Sequence, residues 1–96
     1  MHIVTKKRII EAKSKYSNCV SALDSWYTVI KKNNYSNFAE LKKTFNSIDK
    51  VNSLYVFDIG GNKLRIIVSI HFNRKRVYIR HILTHKEYDE GKWRKK

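Results

Sequence analysis

Apolar residues recur with two different periods along this chain, and the change falls near Asn52. In the first half the period is helical. Thr5 is placed to cap a helix running to about Tyr16, with Ile9, Ile10, Ala12 and Tyr16 on its inner side. Ser17 or Asn18 caps a second, in which Cys19, Val20, Leu23, Tyr27 and Ile30 return at helical spacing. Asn37 followed by Glu40 matches a capping box, and Phe38, Leu41 and Phe45 follow at i, i+3 and i+7. The opening His2-Ile3-Val4 reads as a short edge strand.

After Asn52 the period becomes two. Leu54–Ile59, Lys63–His71 and Arg76–Leu83 are β-branched and aromatic runs separated by Gly60-Gly61 and Asn73-Arg74. Such short loops predict two consecutive hairpins and an antiparallel meander. The tail from Thr84 has mixed polarity and suits a turn with one helical turn. Two-residue loops predict a register in which Tyr55, Phe57, Leu64, Ile66, Val68, Ile70, Val77, Ile79, His81 and Leu83 share one apolar face. That face should pack on the helices. The opposite face then carries Val56, Asp58, Arg65, Ile67, Ser69, His71, Arg76, Tyr78, Arg80 and Ile82. In this register Arg65 stands opposite Ile82 and Arg80 opposite Ile67, making the two arginines diagonal neighbours. Like charges that close destabilise a sheet unless an anion sits between them, so this face has the character of a site.

Composition narrows the function. The chain has 96 residues, with 21 Lys and Arg against 8 Asp and Glu, a net charge of +13. Ninety-six residues fit one domain, with 92–96 as a basic tail. The charge favours a polyanionic partner, either nucleic acid or an acidic protein. It is concentrated late: residues 1–60 carry ten basic and five acidic side chains, residues 61–96 eleven and three. The hydrophobic fraction of 42% supports a core and excludes a disordered basic tail. No apolar run approaches the ~20 residues needed to span a bilayer, and the first residues lack the form of a secretory signal. The single Cys19 cannot form an internal disulfide, and a reducing cytoplasm is the simplest location.

No phosphate-binding glycine loop, paired-carboxylate signature or metal-ligand cluster is present, and no cofactor is indicated. What remains is a basic face with titratable and aromatic groups near it: Arg65, Arg80, His85, Lys86 and Tyr88. These suit RNA cleavage without a metal. A base must deprotonate the 2′-hydroxyl, a cation must stabilise the phosphorane, and an acid must protonate the departing 5′-oxygen. Arginine's planar fork matches phosphate oxygens and stays charged. Histidine titrates near neutral pH, and tyrosine can stack on a base or transfer a proton. The bland alternative for the arginines is solvated charge on an open face. His81, on the apolar face, reads as a satisfied core or edge histidine, and His71 as structural or surface. Trp26 and Tyr27 read as helix packing, and Cys19 as a small buried apolar residue.

The run Leu54-Tyr55-Val56-Phe57-Asp58-Ile59-Gly60-Gly61-Asn62-Lys63-Leu64-Arg65, followed by Val77-Tyr78-Ile79-Arg80 and Thr84-His85-Lys86-Glu87-Tyr88-Asp89, resembles the HigB toxins of bacterial toxin–antitoxin pairs, part of the RelE-like group of mRNA interferases. The resemblance implies an α+β, RelE-like fold with N-terminal helices on one face of a small, mostly antiparallel sheet. It implies cleavage of mRNA in the ribosomal A site, with Arg65, Arg80 and His85 or Tyr88 as the working residues. Lys63, Arg76 and Lys86 are the accompanying candidates for RNA contact. It also implies a HigA-like antitoxin with a helix-turn-helix fold, through which alone the pair would reach operator DNA. Two rivals stand beside this reading. A non-catalytic module could use the same face to inhibit translation by occupying RNA or the ribosome. A DNA-binding regulator ranks below both, since no helix combines high basic density with a helix-turn-helix pattern.

Overall fold

Helices form where the apolar spacing is helical, though not all begin with the expected caps. In a computed structural model, which describes residues 1–61 and 63–94, α1 spans Lys6–Lys15, α2 Val20–Lys32, α3 Phe38–Thr44 and α4 His85–Glu90. The start of α3 follows the sequence pattern: the Asn37 side chain accepts from the Glu40 backbone N–H at 2.9 Å, and the Glu40 carboxylate accepts from Ser36 at 2.8 Å. Thr5 precedes α1 but directs its hydroxyl to the sheet, accepting from the Ile79 backbone N–H at 2.6 Å. A 3-10 turn over Ser17–Cys19 leads into α2, so Cys19 rather than Ser17 or Asn18 occupies its N-cap.

The strands are β1 His2–Ile3, β2 Asp49–Val51, β3 Leu54–Ile59, β4 Leu64–His71 and β5 Arg76–Thr84. They form one sheet in the order β1-β5-β4-β3-β2, in which β1 runs parallel to β5 and the other pairs are antiparallel. The fold is α+β. The central meander is the one that the alternating runs indicate, and β1 is the expected edge strand. β2 has no counterpart in the sequence reading. Its three residues are too few and too polar to show a period, and a turn at Asn52 (φ 57°) folds it back onto β3. Both meander loops hold four residues between paired positions rather than two. Ile59 pairs with Leu64 and His71 with Arg76, and positive φ at Gly60, Gly61 and Lys75 makes the turns.

One sheet face carries the main core. Leu23, Ile30, Leu41, Phe57, Ile66, Val68, Val77 and Ile79 are buried there. Trp26 and Phe45 both meet Phe57 edge to face, with ring centroids 5.3 and 4.9 Å away. Each such side chain contributes roughly 1.5–3 kcal/mol by leaving water. Trp26 and Cys19 are buried as packing residues, as the sequence suggests.

The register of β4 and β5 departs from expectation at one point. Val68 pairs with Ile79 but Ile67 with His81, so Arg80 is an extra residue in β5. This is a β-bulge, which re-aims the side chains of β5 beyond it. Beyond it, Arg65 faces Leu83 instead of Ile82, and Ile67 faces His81 instead of Arg80. His81 and Leu83 therefore leave the main core face, and Ile82 joins it. Nor is the second face wholly open. Val56 and Ile67 are buried with Trp93 in a smaller cluster that takes in Leu83 and Tyr88.

Phe57→Ala should destabilise the protein by about 3–5 kcal/mol, because two aromatic edges lose their partner ring. Urea denaturation checks this. His81 supplies a pH test: burial, then the charges of Arg8 and Arg80, hold its pKa below 6.5. The unfolded chain then binds the proton more readily, so this contribution is complete above pH 6.5 and is lost as pH falls below it. The urea midpoint should drop between pH 7 and pH 5, and less steeply in His81→Gln.

Candidate active site

The site is built where the end of β5 hands over to α4. Thr84 and Glu87 form a reciprocal capping box that sets the direction of α4: Thr84 Oγ1 accepts from the Glu87 N–H at 3.2 Å, and Glu87 Oε1 accepts from the Thr84 N–H at 2.9 Å. The Thr84 backbone hydrogen bond holds the Glu87 carboxyl below its usual pKa. Gly91, at φ 75°, ends the helix in the left-handed conformation and turns the chain back over the sheet. Trp93 thereby lands on Tyr88. The rings stack at 5.1 Å with 16° between planes, and the indole N–H donates to the Tyr88 carbonyl at 3.0 Å.

Beneath this pair lies Arg65. It pairs in register with Asp58 on β3, and Nη1 lies 3.1 Å from the Asp58 carboxylate. Its guanidinium carbon sits 5.3 Å from the centre of the Tyr88 ring. The side chain is only 12% exposed. A cation held by a carboxylate at one side and an aromatic face at another has little freedom left. Arg94 continues the column, 5.0 Å from the Trp93 ring.

Arg80 reaches the same sheet face from β5. It is exposed, and its Nε donates to Ser69 Oγ at 3.3 Å. The two arginines are unequal: Asp58 compensates Arg65 locally, so mutual repulsion is not what marks this face. His85 opens α4, with Nδ1 2.9 Å from an Asp89 carboxylate oxygen one turn on. Both side chains are more than half exposed, and Lys86 is exposed too.

The predicted residues are thus partly united. Arg65 and Tyr88 are in contact, Arg80 shares their face, and His85 and Lys86 stand on the solvent side of α4. Lys63 is exposed in the loop before β4. Arg76 pairs with His71 at the opposite end of β5 from Thr84, about 26 Å away at strand rise. Asp58 and Trp93 were missed as members. Asp58 was legible only once its register with Arg65 was known, whereas an apolar Trp two residues past a helix-ending Gly in a basic tail is a signal in itself. Among the described residues, no group of three or more His, Cys, Asp and Glu could hold a metal. No described helix is long and apolar enough to cross a membrane.

Comparison with known proteins adds the last element. The sequence model of a family described as HigB_toxin, RelE-like toxic component of a toxin-antitoxin system, matches residues 19–91. The chain is 42% identical over 93 residues to the mRNA interferase HigB of Escherichia coli O6:H1, covering 94% of this chain and 90% of that protein. It is 37% identical over 92 residues to the mRNA interferase toxin HigB of Escherichia coli K12 and to the mRNA interferase HigB of Shigella flexneri, covering 93% of this chain and 88% of each. Matches of that extent, on a sheet and helices arranged as described, mean that the chain belongs to the HigB toxin family.

Proposed function

We propose that this protein is the toxin of a toxin–antitoxin pair and acts as an endoribonuclease on translated mRNA, with residues 1–96 as one catalytic domain. The observation that carries the reading is the convergence on one sheet face of Arg65 from β4, Tyr88 from α4 and Arg80 from the bulge in β5. It is supported by relatives that bear the name mRNA interferase.

Cleavage proceeds by attack of the RNA's own 2′-oxygen on the adjacent phosphorus. The 2′-hydroxyl proton passes to a base, the P–O5′ bond breaks, and the 5′-oxygen takes up a proton. The products are a 2′,3′-cyclic phosphate and a 5′-hydroxyl. Arg80, exposed and aimed over the sheet, contacts the phosphate. Arg65, fixed between Asp58 and Tyr88, holds positive charge where negative charge develops, and needs no reorganisation to do so. His85, with Asp89 on Nδ1, offers Nε2 for proton transfer. Tyr88 transfers a proton or stacks on a base. Lys63, Lys86 and Arg76 add attraction for the RNA backbone. The message is engaged in the ribosomal A site in the cytoplasm. The antitoxin is a HigA-like helix-turn-helix protein, and the pair meets operator DNA through it.

Arg80→Ala should leave the fold intact, since the side chain is exposed, and should lower cleavage by about 10²–10³. Mapping 5′ ends on a reporter message after brief expression, beside the wild type, checks this. Discrete cuts within translated codons that vanish in the mutant are expected. An intact message during growth arrest would replace cleavage with inhibition by occupancy. His85→Ala should cost about 10²–10⁴ in the same assay while leaving retention on ribosomes unchanged.

A further inference from the structure

The second sheet face has two halves. One is covered: Val56, Ile67 and Leu83 lie under Trp93 and Tyr88. The other carries Arg76, Tyr78 and Arg80 on β5 beside Ser69 and His71 on β4, in the register Ser69 with Tyr78 and His71 with Arg76. Arg76, Arg80 and His71 are exposed, and Tyr78 and Ser69 are half-buried. None of these five side chains is acidic. Arg76 and Arg80 stand about 13 Å apart along the strand with Tyr78 midway. The Tyr78 ring is braced by His71, whose ring meets it edge to face at 5.2 Å and 78°, and Arg80 is steadied by Ser69.

We propose that this open half is a single-stranded RNA platform, in which Tyr78 stacks on a base flanking the cleaved bond while Arg76 and Arg80 take the phosphates on either side. The inference rests on the ribonuclease reading and extends it to Tyr78, which the chemistry does not use. An aromatic face between two arginines suits unstacked bases, because stacking tolerates any base while the cations follow the backbone. A paired A-form helix offers no free base face to Tyr78. An acidic protein segment would engage the arginines alone and gain nothing specific from the ring between them. Arg80, at the bulge, stands at the boundary between this strip and the covered half.

The test is binding of a fluorescently labelled ten-residue 2′-O-methyl uridine oligomer, which cannot be cut, followed by anisotropy over a salt series. Wild type should bind. Tyr78→Ala should weaken binding by roughly 5- to 150-fold with an unchanged salt slope, and Tyr78→Phe should restore it. Arg76→Ala should lower the slope of log affinity against log salt by about 0.7, the value for one phosphate contact on a single strand. Circular dichroism confirms that each variant is folded. Wild-type affinity in Tyr78→Ala, failure of Tyr78→Phe to rescue, or no binding by the wild type would each overturn the platform. The two readings separate cleanly. Arg80-dependent cuts in cells with Tyr78-independent binding leave the ribonuclease and remove the platform. Tyr78-dependent binding without any cuts does the reverse.

Discussion

Between the pairs Val68–Ile79 and Ile67–His81, β5 holds one residue more than β4, and what happens at either end of the second sheet face depends on that residue. Without Arg80 as an extra, the strand would carry Leu83 into the main core and aim Ile82 at Arg65. With it, Ile82 packs against the helices, and Leu83 joins Val56 and Ile67. Those residues are the floor on which Tyr88 and Trp93 rest. A bulge also increases local twist and re-aims side chains. Here it leaves Arg80 on the face where Arg65 stands and shifts the facing of every β5 residue beyond it, up to the start of α4.

The roof explains how a chain of net charge +13 keeps one cation fixed. Arg65 is too enclosed to be left unpaired, since desolvating a charge costs far more than a surface pair returns. Asp58 supplies the counter-charge and the Tyr88 ring the polarisable ceiling. Trp93 in turn holds Tyr88 by stacking and through its indole hydrogen bond. A column of Arg65, Tyr88, Trp93 and Arg94 therefore ties the last described turn of the chain to the middle of the sheet. Arg80, by contrast, is exposed and donates to a hydroxyl. One arginine is preset, and the other is available.

Periodicity alone carried much of this. Ile9, Leu23, Ile30 and Leu41 lie buried on the helices where their spacing put them, and the alternation of Leu54–Ile59 and Arg76–Ile79 placed the main core face correctly. The failures have separate causes, and Ile10, expected on the inner side of α1, is 56% exposed. Register beyond Ile79 depends on loop length and on one inserted residue, neither of which changes the alternation that a single strand displays. His81 and Leu83 were put on the core face because a strand with a bulge and a strand without one read alike. A hydroxyl before a helix satisfies the capping rule, so Thr5 reads as a cap, yet the Ile79 backbone N–H, 74 positions away, claims it. Arg65 and Arg80 were found for a reason that proved incomplete, since the ion pair with Asp58 requires a neighbour strand that spacing cannot supply.

Charge and geometry then divide the work. A net charge of +13 attracts any polyanion, but ions screen it over about 8 Å at physiological salt. It can raise the encounter rate without choosing what is held or where. Choice needs short-range features, and the sheet offers two of different kinds. At the covered end, hydrogen bonds and stacking immobilise charge. At the open end, a braced ring lies between two exposed arginines. The first suits the demands of a transition state, whose charge appears at one point and punishes reorganisation. The second suits a ligand whose sequence varies, because every base has a face to stack and every linkage a phosphate. A protein that must cut many messages at a fixed bond needs both properties on one surface, and a single bulged strand connects them.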